Sequence, residues 1–357
     1  MDKFGKKDQL SALEAKSNAQ KIAFAPIVFQ ATLALRDLGI LKLLMRERKH
    51  GMGVQAIASE LDLSVYGVEV LLEGGLGAEV VYLEDGHYYL TKTGYFILTD
   101  NLTQVNMNFV ADVCYKPMAH LQDSIVRGEP SGLKELGPWA TIYEGLTRLP
   151  EKVSKSWFDF DHFYSDVAFP QALPLVFHSM PKHVVDVGGN TGKWAKKCLE
   201  FDESVRVTLL DLPRQLEKAT ENLTAAGFEG RFSTMEADLL AESEEFPSQC
   251  DVIWMSQFLD CFSESEIVQI LKRARGGMTN KTSLFILETF WDRQQFDASA
   301  FSLVNTSLYF TCVANGNSKM YHSDEMKKCA DLAGLTLHCQ TDGIGIGHTL
   351  LEYKLVS

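Results

Sequence analysis

The amino-acid sequence predicts an α/β protein: a doubly wound, mostly parallel sheet in the C-terminal half, behind a mostly helical N-terminal region with a winged-helix pattern. Three observations carry this. From residue 183 onward, β-forming runs alternate with helical patterns, which is how βαβ units read. The first of those runs, "PKHVVDVGGNTGKW" (181–194), ends in a cluster of glycines where a helical pattern begins. Near the N-terminus, two helical segments precede two alternating runs joined by Asp85-Gly86, and Asp-Gly in that place is a strong hairpin signal.

The elements follow in order. "IVFQATLALRDLGILKLLM" (27–45) has apolar residues at helical spacing, interrupted at Gly39. A helix to Leu61 and a second to about Leu72, with Ser64 as its N-cap, come next. The hairpin "EVVYL"/"HYYLT" completes a helix–turn–helix plus wing. Residues 101–180 read as helical and rich in aromatics, with "DVCYKPMAHL" (112–121) on one helix. Strands are expected at "HVVDV" (183–187), "RVTLLDL" (206–212), "RFSTMEAD" (231–238), "CDVIWMSQF" (250–258), "SLFILETF" (283–290), "TLHCQ" (336–340) and "HTLLEYKL" (348–355). Helices fall between them at 213–226, 264–275 and 322–333, the second capped by Ser263 and Glu266. The last two strands lie too close in sequence for a crossover, so they form an antiparallel edge. Three regions result: 1–105, 106–180 and 181–357.

Composition bounds the function. The 357 residues suffice for two domains. No run of about 18 apolar residues marks a membrane span, and "MDKFGKKDQLSALEAKSNAQ" lacks the apolar stretch of a signal peptide. Seven scattered cysteines without a CxxC pair point to reduced thiols in the cytoplasm rather than to disulfides or zinc. A net charge of −13 repels nucleic acid and anionic lipid on average. The second winged-helix helix, "SVYGVEVLLEGGLG", has no Lys or Arg and two glutamates, which argues against a DNA-reading regulator. No His/Cys/Asp/Glu set has metal-ligand spacing.

"VDVGGNTGKW" is compatible with several nucleotide-binding patterns in outline. The phosphate loop GxxxxGK[ST] fails, because Val187 stands at its first glycine and Trp194 at its hydroxyl position. GxGxxG fails in both registers, meeting Asn190 and Lys193 in one and Thr191 and Trp194 in the other. What remains is acidic–x–Gly–Gly–x–x–Gly: Asp186, Gly188, Gly189, Gly192. This resembles the first motif of class I methyltransferases, which bind S-adenosylmethionine and release S-adenosylhomocysteine. Such a ligand has no phosphate; it needs close backbone approach, which glycine permits, and carboxylates near its ammonium and ribose groups. Asp211, with Leu212, ends the second strand where a carboxylate can take both ribose hydroxyls. Asp238 ends the third strand, where it and Leu239 could border adenine; Ser256, in the fourth strand, completes the candidate cofactor set.

Longer stretches sharpen the resemblance. "VTLLDLPRQLEKA" with its Asp-Leu-Pro, "DGHYYLTKTGYFI", "ADLLAES" and "MSQFLDCFSESEIVQILKRA" resemble, in order and spacing, the plant caffeate-type and bacterial polyketide O-methyltransferases. That family pairs a winged-helix-like dimerisation region with a Rossmann-like methyltransferase domain. The resemblance implies a homodimer acting on an aromatic or polyketide-like acceptor oxygen. It breaks at the family's catalytic histidine, where this chain has Asp260, followed by Cys261 and Phe262. Of the two glutamates that accompany that histidine, Glu288 is retained and Met320 stands for the other.

The proton of a neutral phenol, pKa about 10, therefore needs another account, since an ordinary aspartate near 3.9 is a poor base for it. Asp260 could act after its pKa is raised by burial. The base could have moved to His162, set among aromatics in "SWFDFDHFYSDVAF" (156–169). Or the acceptor could already be anionic, or an amine. With the histidine gone, hydroxylation or decarboxylation on the same cofactor fold is also open.

Overall fold

Folding places the two β-hydrophobic faces of the C-terminal strands between helices, and the helical N-terminal segments around a core of their own. The computed structural model describes residue 4 and residues 8–241 and 246–355. The described residues form two compact units, one of residues 8–108 and one of residues 109–241 and 246–355 together with residue 4. Residues 1–3 and 5–7 of the N-terminal stretch, and Glu242 and Ser243 of "ADLLAES", lie outside the described residues.

In the first unit, α1 (Ala12–Asp37) starts fifteen residues before the apolar spacing at 27–45 announced it. Its start was written in "SALE": Ser11 caps the helix and Glu14 reaches back to the cap, a reciprocal capping box. Gly39, at φ +84°, makes the expected break before α2 (Ile40–Arg46). Then come α3 (Val54–Leu61), and α4 (Val65–Gly77), whose N-cap Ser64 accepts the Gly67 N–H. The hairpin strands β1 (Val81–Glu84) and β2 (His87–Leu90) pair antiparallel across Asp85 and Gly86, both at positive φ. α5 (Lys92–Thr99) and α6 (Asn101–Phe109) follow. Leu35, Leu41, Leu44, Ile57 and Leu72 form the unit's core.

The second unit begins with a helical layer: α7 (Leu121–Arg127), α8 (Ile142–Gly145), α9 (Glu151–Asp166) and α10 (Phe169–Val176). The stretch 112–121 is not one helix. A π-helical turn over Val110–Cys114 is followed by a 3-10 turn over Pro117–His120, because Pro117 lacks the N–H that a continuous helix needs.

The sheet follows: β3 (His183–Val187), α11 (Lys193–Phe201), β4 (Arg206–Asp211), α12 (Pro213–Ala225), β5 (Phe232–Glu236), β6 (Val252–Ser256), α13 (Glu264–Gly277), β7 (Ser283–Glu288), α14 (Asp297–Tyr309), α15 (Ser323–Leu332), β8 (Leu335–Ile344) and β9 (His348–Leu355). The strand order is β5-β4-β3-β6-β7-β9-β8. The first five strands are parallel, and β9 runs antiparallel to both β7 and β8. Ser263 and Glu266 form the expected capping box on α13. Val185, Ile253 and Ile286 pack one face of the sheet, and Val184, Leu209 and Trp254 the other. Strand order reverses between β3 and β6, so a crevice opens outside their carboxyl ends, where open α/β sheets bind ligands.

Candidate active site

β3 runs out at Val187, and the chain enters α11 through a turn that only small side chains tolerate. Gly188 sits at φ +68° and Gly192 at φ +80°, with Asn190 also at positive φ. A Cβ on Gly188 would stand 2.4 Å from the Phe258 ring, and one on Gly189 would stand 3.0 Å from Asp186 Oδ2. Gly188→Ala is therefore expected to cost about 1–2 kcal/mol, as a left-handed residue that must also displace an aromatic ring. Thermal unfolding checks this; an unchanged Tm would mean that Phe258 moves aside freely.

Two carboxylates frame the turn. Asp211, at the end of β4, accepts the Asn190 N–H (2.8 Å) on one oxygen and the Leu212 N–H (2.7 Å) on the other. It thereby ties the strand end to the glycine turn, and burial raises its pKa. Asp186 is 2% exposed, and its Oδ2 has no hydrogen-bond partner. Burial first, then the Asp211 charge, push its carboxyl up to about 7.

Beside this turn lies an open cleft whose walls include Asp186, Gly188 and Gly189 from the β3 end, Ser256 and Gln257 from the β6 end, and Asp161 and His162 from α9. Buried polar atoms without partners collect here: Asp186 Oδ2, Ser256 Oγ, Gln257 Oε1, and the indole nitrogens of Trp194 and Trp254. Each such atom costs about 1–3 kcal/mol when left unsatisfied. A site that keeps both bare donors and bare acceptors is complementary to a ligand carrying both.

The α9 wall is built by helical spacing. Trp157, Asp161 and Tyr164 lie at i, i+4 and i+7 and share its inner face, with Trp157 and Tyr164 buried. The Asp161 side chain keeps 30% of its surface open. Burial, and next the charge of Asp260, push its carboxyl up to about 7. His162 Nδ1 lies 3.7 Å from Asp161 Oδ2, and its ring stacks on Phe158. Burial and Lys193 hold its pKa below the usual imidazole value, so it is neutral at pH 7.

Asp260 is 7% exposed in the 3-10 turn Leu259–Cys261 and is not part of the cleft lining. Its Oδ1 accepts the Cys261 thiol at 3.6 Å. Glu288, at the end of β7, accepts the Phe258 (3.0 Å) and Leu259 (2.9 Å) N–H groups and so holds the loop that carries Asp260. Burial and then Asp260 raise its pKa well above the usual carboxylate value. Met320 is buried, its sulfur accepting the Thr289 hydroxyl. On the inner side of α9 an aromatic cluster forms part of the core: Phe109 stacks on Phe160 at 4.0 Å, and Trp157 Nε1 donates to the Tyr309 hydroxyl at 2.7 Å.

Of the candidate residues, the structure brings Asp186, Gly188, Gly189, Ser256 and His162 together on one cleft, with Asp211 joined to it through Asn190. Gly192 backs onto Ala219, and Leu239 is in the sheet core. Leu212 and Asp238 are exposed beyond their strand ends, where Asp238 accepts the Leu240 N–H. Sequence reasoning passed over Asp161, Gln257, Trp194 and Trp254. For Asp161 a signal existed, since it shares the Trp157–Tyr164 face while His162 does not. Among the described residues, no group of three or more His, Cys, Asp or Glu side chains is placed to hold a metal ion.

The O-methyltransferase domain model matches residues 151–336, just over half of the chain. The chain belongs to the O-methyltransferase family. A Dimerisation2-like domain model matches residues 16–88 of this family member. It is similar to the L-tyrosine C(3)-methyltransferase of Streptomyces lavendulae, at 21% identity over 84% of this chain and 81% of that protein. Its fold is that of the S-adenosylmethionine-dependent methyltransferase SibL (TM-score 0.72, 22% identity, 96% of this chain and 99% of that one). It also matches the O-methyltransferase NcsB1, solved with S-adenosylmethionine and 2-hydroxy-5-methyl naphthoic acid (TM-score 0.67, 17% identity, 98% and 100% covered). The chain is thus similar to proteins named for methylation of carbon as well as of oxygen.

Proposed function

We propose that this methyltransferase transfers a methyl group to the hydroxyl oxygen of a flat aromatic acceptor, with Asp161 taking the proton. Family membership makes the chain a small-molecule methyltransferase with S-adenosylmethionine as donor; the acceptor atom and the base are the proposal. The observation that carries it is Asp161: a carboxyl pushed up to about 7 on the α9 wall of the cleft beside the glycine turn.

The residues present fit the donor. Asp186 offers its unpartnered Oδ2 to the ammonium, Asp211 at the end of β4 is assigned to the ribose hydroxyls, and Gly188 and Gly189 leave room for close backbone approach. When bound, S-adenosylmethionine supplies a methyl group on a sulfonium, open to in-line attack. The protein's share is orientation and proton removal. Trp157, Phe109, Phe160 and Tyr309 pack together as a buried aromatic cluster against the inner face of α9, and in this proposal the arene is held against that cluster. An aspartate near 7 is about three pKa units better matched to a phenol than an ordinary one, and is still mostly ionised at pH 8. Burial, and next the charge of Asp260, keep it there, and Glu288 holds the Asp260 loop. His162, neutral and with a lower pKa, is the weaker base.

The test is a screen of hydroxylated arenes with ¹³C-methyl S-adenosylmethionine, read by mass and by carbon NMR. A methoxy resonance is expected. A C-methyl or N-methyl resonance would overturn the oxygen assignment while leaving the family activity intact.

The N-terminal unit pairs two copies in this reading. In a single chain, α1 exposes Leu13 (81%), Ile22 (76%) and Ile27 (64%), and the dimerisation-type match spans this helix. Light scattering is expected to give twice the 39.9 kDa chain mass; the monomer mass would refute the pairing.

A further inference from the structure

We propose that Trp194 and Trp254 recognise the carboxylate at the amino-acid end of the donor through their indole N–H groups. This rests on the cofactor reading above and adds two residues to it. Trp254 lies in β6 and is fully buried; Trp194 lies in the first turn of α11 and is 3% exposed. Their rings stack at 3.8 Å and 11°, and both line the cleft. An indole nitrogen can only donate, and neither has an acceptor. Two adjacent orphan donors are a costly way to fill a core, since phenylalanine would pack a similar ring without the penalty.

The neighbouring groups indicate what is missing. Asp186 Oδ2 is a bare acceptor in the same cleft, and Ser256 Oγ is a further unpartnered hydroxyl. A bare carboxylate oxygen and bare donors together complement a zwitterion, with its ammonium toward Asp186 and its carboxylate toward the indoles and Ser256. A lysine is the commoner partner for a carboxylate, but Lys193, which also lines the cleft, is held by Asp166 at 2.6 Å. The indole pair takes over that task, with neutral donors in a buried setting where hydrogen bonds to a charged acceptor are strong.

Calorimetric titration of the full chain with S-adenosylhomocysteine and with 5′-methylthioadenosine tests this. The second compound keeps the nucleoside and thioether and lacks the amino-acid end. The parent protein is expected to prefer S-adenosylhomocysteine. Trp194→Phe and Trp254→Phe each keep a ring in the stack and remove one N–H. Each is expected to weaken S-adenosylhomocysteine binding about tenfold or more while leaving 5′-methylthioadenosine binding nearly unchanged, so that the preference collapses. If both ligands weaken together, the tryptophans only pack and the inference fails. Should one variant not fold, by near-UV circular dichroism, the other decides; should neither fold, indole difference absorbance of the parent decides, expected with S-adenosylhomocysteine and not with 5′-methylthioadenosine. A parent that binds both ligands equally would overturn the inference and keep the cofactor reading, whereas one that binds neither would overturn both.

Discussion

Asp161→Asn is expected to lower kcat about 10²–10³-fold on a phenolic acceptor, within the range that general-base catalysis contributes. The cause is specific to the proton. Asparagine keeps the shape and polarity of the side chain and loses only its basicity, so KM for the acceptor should change little. The pH profile separates this from a packing effect. In the parent, the carboxyl must be ionised to accept a proton, so activity should rise with pH through about 7 and level off above it. That limb disappears in Asp161→Asn. Asp260→Asn removes the charge that helps to hold Asp161 high, so the limb should move to lower pH, with a smaller loss of rate because the base becomes weaker. His162→Ala should cost less than tenfold. If His162→Ala instead carries the large loss and Asp161→Asn does not, the base is the imidazole and the proposed roles exchange.

The sheet was legible because its signals are local and redundant. Glycine punctuation, β-branched runs and capping residues all agree over 183–355, and the elements fell within a few residues of where the spacing put them. The antiparallel β8–β9 edge followed from connection length alone. Errors came where one signal hid another. The start of α1 was marked by its Ser11–Glu14 box but masked by the polar residues that follow. The 112–121 stretch has helical spacing, yet Pro117 breaks its hydrogen bonding.

For the site, motif residues on strand ends were readable because the sheet dictates where strand ends go. Asp186, Gly188, Gly189 and Ser256 meet on one cleft for that reason. The α9 contribution was not, because a helix presents a single face and the reading favoured the residue type. His162 drew attention as an imidazole; the phase of Trp157 and Tyr164 points to Asp161. Nor can a sequence report an unpaired hydrogen-bond donor. Trp194 and Trp254 read as core, and only the three-dimensional arrangement shows that their N–H groups have no acceptor.

Asp186→Asn is expected to stabilise the free protein at pH 8 and to weaken cofactor binding by about 30–100-fold. Both effects come from one buried charge. The carboxyl has a folded pKa of about 7 against 3.8 as a model group, so the folded state holds the proton more tightly. Its contribution to stability is fully present below about pH 4 and is lost as pH rises through about 7. By pH 8 the folded protein carries an ionised carboxylate that is 2% exposed and has one oxygen, Oδ2, without a partner, at a cost of about 4 kcal/mol. Asparagine has no charge to strand there. The Tm of the free variant should exceed that of the parent at pH 8, and the gap should close toward pH 5. The donor's ammonium reverses the balance, because it needs the ionised carboxylate. Parent affinity should therefore rise with pH up to about 7 and then level off, while the variant's affinity stays low and flat. Thermal unfolding and calorimetry across pH 5–8 measure both arms. A variant that is less stable than the parent at pH 8 and still binds S-adenosylmethionine normally would show that Asp186 is a structural residue, its proton retained throughout. The expected result makes the strain at this carboxylate the source of its affinity: the free site stores the energy that the bound ammonium releases.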